Sequence, residues 1–91
     1  MNLEHGTYFQ HRYGGIYMVV DADATSTVDL SRLVIYKHVF PFEQKSWVRP
    51  YSEFTDGRFK EINALELRDL LTKDRAQAQM DIAEAKRQSK A

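Results

Sequence analysis

Cysteine is absent from this 91-residue chain. That removes disulfide staples and thiolate chemistry together and fits a reducing compartment. No apolar run is long enough to span a bilayer, and the opening Met-Asn-Leu-Glu-His-Gly lacks a basic stretch followed by an apolar one. The expectation is a soluble cytoplasmic protein with no membrane partner. Excess charge of either sign is also missing, since thirteen Lys plus Arg meet thirteen Asp plus Glu. The balance holds locally, with seven basic and eight acidic residues in Met1–Ile62 and six and five in Asn63–Ala91. A net positive field dominates affinity for duplex phosphate backbones, so duplex DNA is not expected as the principal partner.

Catalytic vocabulary is equally scarce. His5, His11 and His38 are far apart and form no metal-ligand spacing such as His-Glu-x-x-His. Gly14-Gly15 runs into Ile-Tyr-Met-Val-Val without the Lys and Ser or Thr of a phosphate loop, which makes it a hairpin turn. Ser26, Ser31, Ser46 and Ser52 stand in no nucleophile-elbow context. No catalytic residue, metal or cofactor is assigned on these grounds. An enzyme would have to rest on a general acid or base such as His38 or Glu43, and nothing pairs them.

What is present divides in two. Up to about Ile62 the chain is rich in Tyr, Phe, Val and Ile with turn punctuation, the residue types that fit a pleated, half-buried surface. From Asn63 onward glycine, proline and aromatics vanish, and Ala, Leu, Glu, Lys, Arg and Gln take over. One domain of two parts results, a small β-barrel over 1–62 and a helical extension over 63–91. Strands are expected at about Gly6–Gln10, Ile16–Ala22, Leu30 or Ser31–Phe40, Lys45–Arg49 and Arg58–Ile62. Tyr51-Ser52-Glu53-Phe54 is expected as a single helical turn, and Asp23–Asp29 as an exposed loop. Five short strands with tight turns suggest a strongly bent sheet closed into a barrel; an open meander packed under the helix is the competing architecture.

Asn63 can cap a helix, with Glu66 three residues later completing a capping box. One helix from Ala64 to about Arg87 would be roughly 35 Å long at about 1.5 Å per residue, longer than so small a barrel is wide, and should project. Either it is a solvated helix, or Ala76, Ala78, Met80, Ile82 and Ala85 pack on a second copy, making a homo-oligomer through residues 64–87.

The densest chemistry lies between Val34 and Pro50, which holds the only tryptophan and both prolines. The period of two puts Tyr36 and His38 on one face of the third strand, and Trp47 and Arg49 on one face of the fourth. Paired, these strands would offer an aromatic floor rimmed by a guanidinium and an imidazole, suited to a planar anion. The alternative is that Trp47, Val48, Tyr36 and Ile35 pack the core while Arg49 pairs with Glu43 or Glu53. Candidate ligand-binding residues are Tyr17, Tyr36, His38, Glu43, Trp47 and Arg49.

The stretch Gly6 to Ile62 resembles the bacterial and phage family known as domain of unknown function 1653. Gly6 and Tyr8, His11, Gly14 with Tyr17 and Val19, Val34-Ile35-Tyr36, Trp47-Val48-Arg49-Pro50, Phe54 and Gly57-Arg58-Phe59 carry the resemblance. Tyr8 and His11 are separated by two residues where the family pattern has one, so Phe9 takes the aromatic place or the strand carries a bulge. The resemblance implies a small barrel of the SH3 type and no particular reaction. Two functions follow as expectations: a module that binds a protein or peptide, or a sensor or sequestering protein for a nucleotide-like anion or single-stranded nucleic acid through Trp47, Tyr36 and Arg49.

Overall fold

A computed structural model describes residues 3–89, so the outer ends of the expected 1–62 and 63–91 parts lie outside the described residues. Five strands, β1 (Tyr8–His11), β2 (Ile16–Thr25), β3 (Arg32–Phe40), β4 (Lys45–Pro50) and β5 (Phe59–Glu61), form one antiparallel sheet in the order β4-β3-β2-β1-β5. Short turns between successive strands explain the first four neighbours; β5 then crosses to pair with β1, His11 opposite Phe59.

The mainly-β expectation is met, and the closed barrel is corrected to an open sheet. No backbone ladder joins β4 to β5 among the described residues. The sheet is nevertheless strongly curled. Three register irregularities interrupt β2 between Ile16 and Ala24, and such bulges bend a strand and raise its twist. The curl is great enough to bring the two edges together through side chains: Arg49 of β4 lies 5.6 Å over the ring of Phe59 on β5.

Within that curl Phe9, Val19, Val34, Tyr36, Phe54 and Phe59 form the core. The helical turn expected after Pro50 is α1 (Tyr51–Phe54), and it delivers Phe54 as a plug. Phe54 stacks on Phe59 with centroids 4.2 Å apart and meets Phe9 edge-on at 5.2 Å. Such pairs contribute about 0.5–1.5 kcal/mol each beyond their buried area.

Differences at the strand ends have local causes. The segment expected as a loop from Asp23 begins as strand, because Ala24 and Thr25 pair with Leu33 and Arg32; the true tip is 26–31. Trp47 and Val48 are not core residues. They are 45% and 59% exposed, because β4 is an edge strand: Val48 lies on its uncovered outer face, and Trp47 stands at the open rim of the concave one.

The single projecting helix is also corrected. The capping box at Asn63 and Glu66 forms as expected and starts α2 (Ala64–Leu71), but the chain breaks at 72–74 and restarts as α3 (Arg75–Ser89). Thr72 turns its hydroxyl back on the Asp69 carbonyl, and Asp74 accepts the Gln77 N–H, so local side-chain bonds end one helix and cap the next. α3 then folds back over the sheet. Ile82 is buried and packs at Gly14, Arg75 and Gln79 both donate to the Pro41 carbonyl, and Tyr13 donates to Ser89. Ile82 is therefore spent on the chain's own sheet, with Ala78 and Ala85 half-buried and only Ala76 and Met80 exposed.

Candidate functional site

Side chains at alternate positions of β3 and β4 enter the concave face of the sheet together. Register places Tyr36 opposite Trp47, His38 opposite Lys45 and Val34 opposite Arg49. Tyr17 of β2 comes in beside them, its ring 5.3 Å from Tyr36 and 4.8 Å from His38. These side chains need space at the β1–β2 turn, and Gly15 provides it: a Cβ there would stand 3.1 Å from the Tyr17 ring and 3.3 Å from His38. Gly14 has φ +115° and leaves room for Ile82 on α3.

The result is one pocket of about 480 Å³, within the range of small-molecule sites. All six residues named from the sequence, Tyr17, Tyr36, His38, Glu43, Trp47 and Arg49, line it. Sequence reasoning missed the rest. His11 and Tyr13 arrive from β1 and its turn, Phe42 and Lys45 from either side of the β3–β4 connection, Phe59 from β5, and Ile82 and Lys86 from α3. The β3–β4 residues followed from the period of two; the others come together only once the sheet curls and α3 folds back.

Arg49 makes neither expected ion pair, with Glu43 or with Glu53. Its Nε–H donates to the Tyr36 hydroxyl at 3.1 Å, and Glu53 lies instead 3.9 Å from Arg58. Lys45 sits over the Trp47 ring at 5.1 Å. Arg49, Lys45 and Lys86 thus face a single lining carboxylate, Glu43, in a chain with no net charge.

Both histidines of the pocket are held neutral with defined tautomers. The Tyr13 N–H donates to His11 Nδ1 at 3.2 Å, and the Phe42 N–H donates to His38 Nε2 at 3.0 Å. Each ring has one nitrogen occupied as acceptor, so the other must carry the proton. Burial, then the charges of Arg49, Arg12, Arg58 and Lys86, lowers the His11 pKa to about 4. Burial, then Lys86 and Arg75, lowers that of His38. Burial raises that of Tyr17, followed by Tyr36 and opposed by Arg49, so the phenol keeps its proton. Neither imidazole has a free lone pair with which to act as a general base. What they and the tyrosines present to the cavity is hydrogen-bond donors.

The remaining histidine, His5, is exposed and lies outside this pocket. Among the described residues no group of three or more His, Asp or Glu stands where it could hold a metal ion, and no helix is long and apolar enough to cross a membrane.

A small mainly-β domain with one donor-rich, aromatic-walled pocket is thus what the chain builds. Residues 7–61 match the family model described as protein of unknown function, DUF1653, and the chain belongs to that family. The match covers all five strands and α1, whereas α2 and α3, with Ile82 and Lys86, lie beyond it. No curated protein and no solved structure matched the chain.

Proposed function

We propose that the protein binds a small planar anion in the pocket between β3, β4 and α3, as a sensor or sequestering module without catalysis. One observation carries this reading: Arg49, Lys45 and Lys86 and the donor groups of two neutral histidines converge on a cavity walled by Tyr17, Tyr36, Trp47 and Phe59. Aromatic faces hold a flat ring, and a guanidinium fork holds an oxyanion. The curled sheet is read, in the same proposal, as a barrel of the SH3 type left open between β4 and β5, the opening giving access to the ligand.

Trp47 is the chain's only tryptophan and lines the rim, so its fluorescence is a direct probe. Titration of the full chain with 2-naphthoate, naphthyl phosphate and their uncharged alcohol should quench Trp47 with both anions and far less with the alcohol. Equal responses to all three, or none, would sink the anion reading.

An acidic peptide is the second reading, favoured by the unpaired outer edge of β4, a strand that carries exposed Val48 on one face and Lys45 and Arg49 on the other. It would add a strand to that edge. Saturable binding of an acidic hexapeptide, abolished by Pro at its central position, would favour it over the small-molecule reading.

A further inference from the structure

The donors of the pocket come from different directions. Arg49 enters from β4, His11 from β1 and Lys86 from α3. All three line the same pocket, which Lys86 shares with both imidazole rings. Arg49 commits Nε to Tyr36 and keeps its two terminal nitrogens for a ligand. A carboxylate, with two coplanar oxygens, would be satisfied by that fork alone. Three donors from three elements suit the three terminal oxygens of a tetrahedral phosphate instead.

The pocket is also graded along β4. Arg49 lies over Phe59, whereas Trp47 neighbours Lys45 and lies opposite Tyr36. Trp47 and Arg49 share a face two residues apart, about 7 Å at roughly 3.3 Å per residue. That backbone spacing is of the same order as the separation of ring and phosphorus in a nucleoside 5′-monophosphate. Trp47 is half-exposed, so a base laid against it would bury an aromatic face now in solvent.

We infer that the ligand is a phosphate monoester of a flat ring system, with a nucleoside 5′-monophosphate as the simplest case, its phosphate held by Arg49, Lys86 and the His11 N–H and its base against Trp47. The inference rests on the anion-pocket reading and goes beyond it in naming the anion and in giving α3 a binding residue. Because α3 lies outside the family match, Lys86 and its neighbour Ile82 add to a pocket whose other lining residues belong to the matched domain.

The test titrates the full chain with adenosine 5′-monophosphate, adenosine, inorganic phosphate, 2-naphthoate and a 5′-phosphorylated trinucleotide, following Trp47 fluorescence and heat. The monophosphate should bind at least about tenfold more tightly than each of the others, a difference of one charge-assisted contact or more. Lys86→Met should remove about tenfold for the monophosphate and leave adenosine unchanged, and Lys86→Arg should restore it. Lys86 is exposed, so neither variant should move the thermal midpoint. Tighter binding of naphthoate would overturn the phosphate assignment while the anion pocket stands. Tighter binding of the trinucleotide would overturn the free-nucleotide assignment in favour of strand ends. Undiminished binding by Lys86→Met would overturn the part given to α3, and binding of none of the five would overturn both readings.

Discussion

Arg49 and Tyr36 are diagonal neighbours on adjacent strands, and the guanidinium Nε–H donates to the phenol at 3.1 Å. Tyr36 is 4% exposed, so this bond ties a partly solvated cation to the core of the sheet. One link fixes both the aim of Arg49 and the direction of the Tyr36 hydroxyl: with its oxygen accepting from Arg49, its own O–H is left to donate.

Tyr36→Phe follows directly. It removes the acceptor of Arg49 while keeping the ring that packs on Phe54, Phe59 and Tyr17. The expected loss is about 0.5–1.5 kcal/mol, the net worth of one hydrogen bond. Urea denaturation should show a lower midpoint with an unchanged slope, since the exposed surface of the unfolded chain is the same. Anion binding should weaken too, because the Arg49 fork loses its anchor.

Trp47→Ala separates the two expectations for this residue. A core tryptophan costs about 3–5 kcal/mol on truncation, whereas an exposed side chain away from special contacts costs about 0.5 kcal/mol. With Trp47 45% exposed, the variant should remain within about 1 kcal/mol of the parent and lose calorimetrically measured anion binding. A loss of several kcal/mol would return Trp47 to the core.

Gly14→Ala tests how α3 is seated. The position has φ +115°, and a Cβ there would come within 3.3 Å of Ile82 Cγ1. Backbone strain and the push on Ile82 act together, for an expected loss upwards of about 1 kcal/mol. Amide exchange should quicken across α3 first, because Ile82 is the one residue of that helix that is buried. Uniform loss of protection in sheet and helix alike would mean that α3 and the sheet unfold as one unit.

Much of this arrangement was legible in the sequence, and the limits have physical reasons. Alternation along β3 and β4 placed Tyr36 with His38 and Trp47 with Arg49, because side-chain direction in a strand depends only on parity. Asn63 and Glu66 announced a helix start because a capping box is local chemistry. Thr72 and Asp74 were harder to read: both residues occur within helices, and the break depends on where α3 finds burial for Ile82. Lys86 carried no signal, and His11 entered only through the family resemblance and not as a pocket residue, since both meet the other pocket residues only through the curl of the sheet and the return of α3. Trp47 misled for a complementary reason. Tryptophan in an apolar run suggests a core, but β4 is an edge, and position in the sheet order overrides residue type.

Acid should destabilise the protein through His11 before carboxylates dominate. Its pKa falls from 6.5 in the unfolded chain to about 4 in the fold, because burial and the charges of Arg49, Arg12, Arg58 and Lys86 oppose a proton. Between those values the unfolded state binds more protons than the native one, so stability falls as pH drops. The contribution of His11 is full above pH 6.5, is lost progressively towards pH 4 and changes no further below it. His38, lowered by burial, then Lys86 and Arg75, acts in the same direction. Asp56, lowered chiefly by its bond from Arg58, also loses stabilisation on acidification, but through the carboxylate range. Urea midpoints measured at steps from about pH 8 to 4 should therefore be level at the alkaline end and decline below about 6.5. His11→Gln should flatten that decline, because an amide can accept from the Tyr13 N–H without titrating. Proton NMR supplies the microscopic check. A His11 ring resonance titrating near the unperturbed value would show that the ring is neither desolvated nor held by its positive neighbours, and would remove the basis for treating it as a neutral N–H donor in the pocket.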